Sequence, residues 1–432
     1  ADTGKRARIP GHATQGRIED MSQHRAGTTR RHLLTAAGAA GAATGLGIPF
    51  IRPAEAAGPI RIGLLLAKTG GIAAQTSYLA EGSYLALAER GNKIGGRPVE
   101  LVWYDEPSSQ GAQQSFQKLV REEKVVAVVG GSLSSDALAE EATAGQLKIP
   151  YVCNNAAATE ITGKNCNRFT FRLNTPVQVQ ARMFMPFLSG LGKKWYFITA
   201  AYAFGQDIAK SFKELLEAEG GTIVGNDTVP VNTPDYSAFI LKIRAANPDV
   251  VLGGVSSGDL STFLKQWNEM GMRGKIPIAE IAIGDTDIWA VGTEAATGLY
   301  TSLWWYKNPA NPPGEQAFAA AYEKKHHRPP ADKAWMGWLA ARSMFESIEA
   351  AKSTQPMAIV EALEHWKDRE TGVSYRSFDH QMMLPNLVVR VKKKIPDKWD
   401  YFDVVASVPK DRADLSKVYG SAAEIGCHFP PV

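Results

Sequence analysis

Cysteine is scarce in this chain, three in 432 residues and none in a C-x-x-C pair, so neither a zinc site nor a thioredoxin-like redox centre has its ligands. Both phosphate-binding glycine signatures are missing: there is no G-x-x-x-x-G-K-[ST] and no G-x-G-x-x-G. No second apolar run of membrane-spanning length follows residues 1–57. An excess of charge is absent from the body of the chain as well. Of 48 Lys and Arg and 44 Asp and Glu, residues 1–57 hold 8 and 4, which leaves 40 of each downstream. A neutral body has no basic face for phosphates, and this excludes nucleic acid as a partner.

What is present begins with a leader over residues 1–57. Arg30 and Arg31 precede an apolar, Ala/Gly-rich run from Leu33 to Ile51, and Ala54, Glu55, Ala56 and Ala57 supply a small-residue cleavage pattern. The segment resembles a twin-arginine export signal cut near Ala57, with Met21 as the natural start and residues 1–20 upstream of it. The remainder is then expected in the periplasm, as a monomer. In that oxidising compartment Cys153 and Cys166, which bracket a polar loop, are expected to form a disulfide. A loop of that size is worth about 3 kcal/mol in the chain-entropy treatment. Two free thiols are the alternative, and Cys427 is read as unpaired.

Downstream, short runs of Val, Ile and aromatics alternate with amphipathic stretches, the mark of repeated strand–helix–strand units on a mostly parallel sheet. Strands are expected at 59–67, 99–105, 125–129 and "PYVCN", with helices over about 73–90, about 110–123 and after Ser135. The rhythm then restarts with a strand at 194–200, a helix at 205–221, the strand "TIVGNDTVP" and the helix "YSAFILKIRAANP". A strand at 249–254, a helix through "LSTFLKQWNEMG" and the strand "KIPIAEI" follow. The fold class is therefore α/β: two doubly wound lobes, 58–175 and 176–302, with a cleft where the carboxyl ends of the strands meet. Residues 303–432, with helices around 314–327 and 332–352 and strands "VSYRSFD", "LVVRVKK" and "WDYFDVVASVP", are expected to return and complete both lobes.

One stretch carries chemistry. In "VVAVVGGSLSSDALAEE" (125–141) a strand stops at Gly130 and Gly131 and a helix starts after serines, which leaves N–H groups and hydroxyls facing one spot suited to a small carboxylate. A serine N-cap that merely starts the helix is the alternative. His326 and His327 sit at a basic helix end and read as solvated rather than metal-binding, and Asp285 and Asp287 lack the spacing of a calcium loop. No cofactor is expected, and no Ser-His-Asp arrangement emerges.

In order, "IGLLLAKTGGIA", "NKIGGRPVELVWYDEPSS", "VVAVVGGSLSS", "YVCNNAAATEITGKNC", "FRLN", "YAFGQD" and "NPDVVLGG" resemble the landmarks of the leucine/isoleucine/valine-binding family, exported solute-binding proteins of ABC importers. The resemblance is close over 59–305 and loose beyond. It implies a type I periplasmic-binding fold whose two lobes are joined by a hinge. It also implies a small-molecule ligand, an amino acid or carboxylate, and a membrane permease as partner. It places the ligand carboxylate on Ser134 and further contacts on Ala156, Ala157, Ala158 and Thr159. An aromatic contact falls on Phe204, a loop contact on Val255 or Ser256, and the acid for a ligand ammonium on Glu280. Gln75 stands where the family's leucine binders have an aromatic wall, and Phe204 lacks a hydroxyl; both departures leave aromatic acids, amides and urea-like ligands open. Trp304, Trp305 and Tyr306 read as core or hinge packing, with a stacking wall as the alternative. A periplasmic sensor subunit remains a second reading, and an exported hydrolase the least favoured.

Overall fold

The computed structural model describes residues 58–429 apart from positions 282 and 396; the leader expected over 1–57 lies outside the described residues. Two sheets organise it. The first contains β1 (Ile60–Leu65), β2 (Lys93–Ile94), β3 (Arg97–Tyr104), β4 (Ala127–Gly130), β5 (Tyr151–Cys153) and β6 (Thr170–Arg172), in the order β2-β3-β1-β4-β5-β6. The second contains β7 (Lys194–Ala200), β8 (Thr222–Val229), β9 (Val250–Gly254), β10 (Ile278–Glu280), β11 (Leu299–Ser302), β12 (Asn386–Val391) and β13 (Phe402–Val408), in the order β13-β12-β11-β10-β9-β7-β8. All pairings are parallel except β2 with β3, β11 with β12 and β12 with β13. The inner strands are apolar and buried on both faces, as a sheet covered by helices on both sides requires.

The helices are α1 (Ala73–Glu89), α2 (Ser109–Arg121), α3 (Ser134–Leu147), α4 (Val177–Leu188), α5 (Ala203–Ala218), α6 (Ser237–Ala246), α7 (Gly258–Glu269), α8 (Asp285–Ala295), α9 (Pro313–His326), α10 (Asp332–Ala351) and α11 (Pro356–Glu364). One face of the first sheet packs on α1, α10 and α11, the other on α2 and α3. The second sheet is likewise covered on both faces, by α6 and α7 and by α4 and α5. Past residue 303 the chain returns to the first lobe through α9–α11 and then to the second through β12 and β13. Three segments thus connect the lobes: 173–176, 303–305 and 382–386. The first and third are tied together, since Thr175 Oγ1 donates to Asn386 Oδ1 at 2.8 Å and Gln381 Nε2 donates to the Asn174 carbonyl at 3.0 Å.

Helices α1 and α10 cross with their backbones in contact. A Cβ on Gly82 would stand 1.8 Å from the Ala334 carbonyl oxygen, and one on Gly337 1.9 Å from that of Leu79. Only glycine lets these backbones touch.

Three expectations are corrected. The disulfide joins Cys166 to Cys427, with Cα atoms 5.6 Å apart, and Cys153 is a free thiol. The reason is direction: Cys153 ends β5 and turns into the core beneath α3, while the C-terminal tail brings Cys427 to Cys166. Burial pushes the Cys153 thiol up to about 12, so it is inert. "VSYRSFD" makes only the isolated bridges Lys367–Ser374 and Tyr375–Met382, because the chain folds into a turn in which Arg376 N donates to the Gln381 carbonyl. Finally, α4, α8 and α11 and the short strands β6 and β11 are present where no element was expected.

Candidate functional site

The residues just beyond the carboxyl ends of the parallel strands β4, β5, β7 and β9 line one cleft between the sheets. Ser132–Ser134 follow β4, Asn155–Ala157 follow β5, Tyr202 and Phe204 follow β7, and Ser256 follows β9. The cleft encloses about 610 Å³ of empty space, open solvent at its mouth included. The lobes touch around it. Ser257 Oγ donates to the Gly71 carbonyl (2.9 Å), Thr159 N to Asp207 Oδ2 (2.6 Å) and Gln75 Nε2 to Asp287 Oδ2 (3.3 Å).

On the first lobe the turn after β4 is built around an internal acid. Gly131 N and Ser132 N donate to the Glu106 carboxylate at 3.2 and 2.9 Å, so those amides already have an anion. The N-cap of α3 is Leu133, extended and without a side-chain cap bond, and Ser134 is the first helical residue; the serine-cap alternative is thereby corrected. Ser134 Oγ accepts from Ala158 N (3.2 Å), which leaves its hydroxyl hydrogen to be donated. A carboxylate here meets that hydroxyl and the positive end of α3.

Behind the turn, burial pushes Glu106 up to about 7, and burial together with the Glu106 charge pushes Glu140 well above the carboxylate range. Burial also takes Asp287 and Glu315 up to about 7. Unfolded, such groups titrate near about 4. Above about pH 5 the folded chain therefore binds more protons than the unfolded one, and stability is expected to fall as pH rises to about 7, with Glu140 extending the decline beyond. Urea denaturation at pH 5, 6.5 and 8 checks the sign. Glu106→Gln should flatten part of the decline, and stability that rises from pH 5 to 8 would contradict it.

On the second lobe Tyr202 and Phe204 stack with centroids 6.1 Å apart, and the Tyr202 hydroxyl lies 3.0 Å from Ser256 Oγ. Residues 254–258, GVSSG, spell the G-x-S-x-G of a hydrolase elbow, and Ser257 turns the chain at φ 56°, ψ −130°. Ser256 Oγ lies beside the Tyr202 hydroxyl, and Ser257 Oγ donates to the Gly71 carbonyl, which ties the turn to the first lobe; among the described residues lining the cleft there is no histidine. The start of α10 brings Asp332 and Lys333 into the lining, with Lys333 Nζ 3.4 Å from Asp332 Oδ2.

A family model described as periplasmic binding protein matches residues 59–396. The chain belongs to that family. It is 26% identical over 357 residues to the Leu/Ile/Val-binding protein homolog 8 of Brucella suis biovar 1 (strain 1330), an alignment covering 78% of this chain and 88% of that one. A periplasmic binding protein from Burkholderia mallei shares the fold, with TM-score 0.79 at 23% identity over 86% of this chain and 99% of that chain. So does a solute-binding protein of an ABC transporter from Rhodopseudomonas palustris BisB5, solved with 3,4-dihydroxybenzoic acid: TM-score 0.74, 22% identity, 81% and 96% covered. The fold is the type I periplasmic-binding fold, and the family is one of solute-binding proteins exported to the periplasm. Among the described residues no helix is long and apolar enough to cross a membrane.

In this binding protein Ser134, Ala156, Ala157 and Phe204 line the cleft together with Gln75 and Ser256. Thr159 lies instead in a neighbouring surface pocket beside Asp207, and Val255 packs into the core of the second lobe. Ala158 is buried in the first lobe's core, its N–H on Ser134. Glu280 ends β10 fully buried and outside the cleft lining; its Oε1 accepts from Ile281 N at 2.9 Å. Trp304 and Trp305 are core residues, Asp285 and Asp287 are buried in the first turn of α8, and His326 stacks on Tyr322. Sequence reasoning missed Tyr202, Thr301, Asp332 and Lys333. Tyr202 was within reach as the extended residue before a helix; the others arrive on returning segments whose placement no local pattern encodes.

Proposed function

We propose that this protein captures a small carboxylate between its lobes and delivers it to the permease of an ABC importer, after export by the twin-arginine-like leader and cleavage near Ala57. The observation that carries the reading is the cleft in which the Ser134 hydroxyl and the start of α3 on one lobe face Tyr202 and Phe204 on the other. The ligand's carboxylate sits at Ser134, with the backbone at Ala156 and Ala157 beside it. Because the ligand touches both lobes, its binding energy favours the closed arrangement. Delivery follows from reopening, with no bond made or broken.

Two ligand classes compete. An α-amino acid needs a carboxylate for its ammonium, and Glu280 stands outside the lining while Asp332 stands within it. The stacked Tyr202–Phe204 pair favours an aromatic acid, the class named for the Rhodopseudomonas palustris relative. A thermal-shift screen of leucine, benzoate and 3,4-dihydroxybenzoate separates them, since a ligand that binds only the folded state raises the melting temperature. Ser134→Ala is expected to weaken the ligand that emerges by about 1–3 kcal/mol, through loss of a charge-assisted hydrogen bond. Titration calorimetry measures it, and unchanged affinity would remove Ser134 from the site.

A further inference from the structure

A second cavity lies beside Leu303, a residue that lines both it and the cleft. It encloses about 1050 Å³ of empty space. One wall belongs to the first lobe: Trp304, Trp335 and Trp338, of which Trp304 and Trp335 lie parallel with centroids 5.9 Å apart. The facing wall comes from the second sheet and the chain after it: Leu387 on β12, Ser407 on β13, then Lys410 and Arg412.

Its charges are uneven in availability. The carboxylates of the lining are engaged: Asp368 with Arg342 (3.0 Å), Glu370 with Gly314 N (2.7 Å) and Glu315 with Trp304 Nε1 (2.7 Å). Burial, moreover, favours the neutral form of Glu315 at and below about pH 7. Lys410 and Arg412 are exposed at the rim and form no ion pair among the described residues; Arg412 donates only to the Thr371 carbonyl, at 3.3 Å. The edges of these otherwise buried indoles favour a flat π-system, and two cations without an ion pair at the mouth favour an anionic group at its edge.

We propose that this hinge-side cavity is a second ligand site, for a planar aromatic anion whose ring lies along the tryptophans and whose charge meets Lys410 and Arg412. Since its walls belong to different lobes, the cavity changes shape whenever the hinge moves.

The test titrates 1-anilinonaphthalene-8-sulfonate into the full chain, reading probe emission together with quenching of tryptophan fluorescence. One saturable equivalent is expected. The double variant Lys410→Glu/Arg412→Glu should raise its Kd at least threefold while keeping the wild-type melting temperature, and Phe204→Ala in the cleft should leave that Kd within threefold. The absence of saturable binding would overturn the proposal. So would a change below threefold in the double variant, or a loss in Phe204→Ala that places the probe in the cleft. Should the double variant melt early, the single variants Lys410→Gln and Arg412→Gln decide, each expected to weaken the probe and each overturning the site if neither does.

Discussion

Gly337→Ala and Gly82→Ala are each expected to destabilise the protein by roughly 3 kcal/mol, at the upper end of what overpacking costs. The added methyl has no room: it would stand 1.9 Å from the Leu79 carbonyl oxygen in the first case and 1.8 Å from that of Ala334 in the second. A backbone oxygen cannot rotate away as a side chain can, so α1 and α10 must separate, and both are buried along much of their length. A valine at either position should leave no soluble folded protein. Urea unfolding of the alanine variants measures the loss, and a change below about 1 kcal/mol would mean that these helices do not cross in contact.

The other large effect concerns the covalent link between positions 261 residues apart, Cys166 and Cys427. Closing a loop of that length removes chain entropy worth about 5.6 kcal/mol from the unfolded state, an upper limit because residual structure lowers it. Cys427→Ser is therefore expected to lower the unfolding free energy by several kcal/mol, and a reducing agent should do the same to the wild type but not to the variant. Non-reducing peptide mapping gives an independent check: a fragment joining Cys153 to Cys166 would contradict the pairing.

Apart from β6 and α4, the alternation of strands and helices through residue 281 was legible because parallel strands buried on both faces leave continuous apolar runs, as in Ala127–Gly130 and Val250–Gly254. Legibility failed where long-range contact rather than local pattern decides. Strands of three or four residues such as β6 and β11 carry too few side chains to show a period. Pairing the cysteines nearest in sequence ignored the possibility of a tail returning across the chain. At the site, Ser134 could be read from a strand that gives way to a helix, whereas Phe204 came from the family resemblance; both line the cleft. Asp332 and Lys333 could not, since their place depends on where α10 returns. The amides of Gly131 and Ser132 looked available only because Glu106, twenty-five residues earlier, gives no sign in the sequence that it fills them.

Trp304 is seated in the interior of the first lobe, while Trp305 is seated in that of the second, against Tyr401 at 4.7 Å and Phe402 at 5.1 Å. Unseating either indole would expose roughly 200 Å² of apolar surface, at a cost of about 5 kcal/mol. At that cost both anchors stay seated, so at this crossing any gaping of the jaws falls on the torsions of the peptide between these neighbours, as at the other two crossings it falls on 173–176 and 382–386. Three short crossings share the swing, and the halves they join keep their interiors intact.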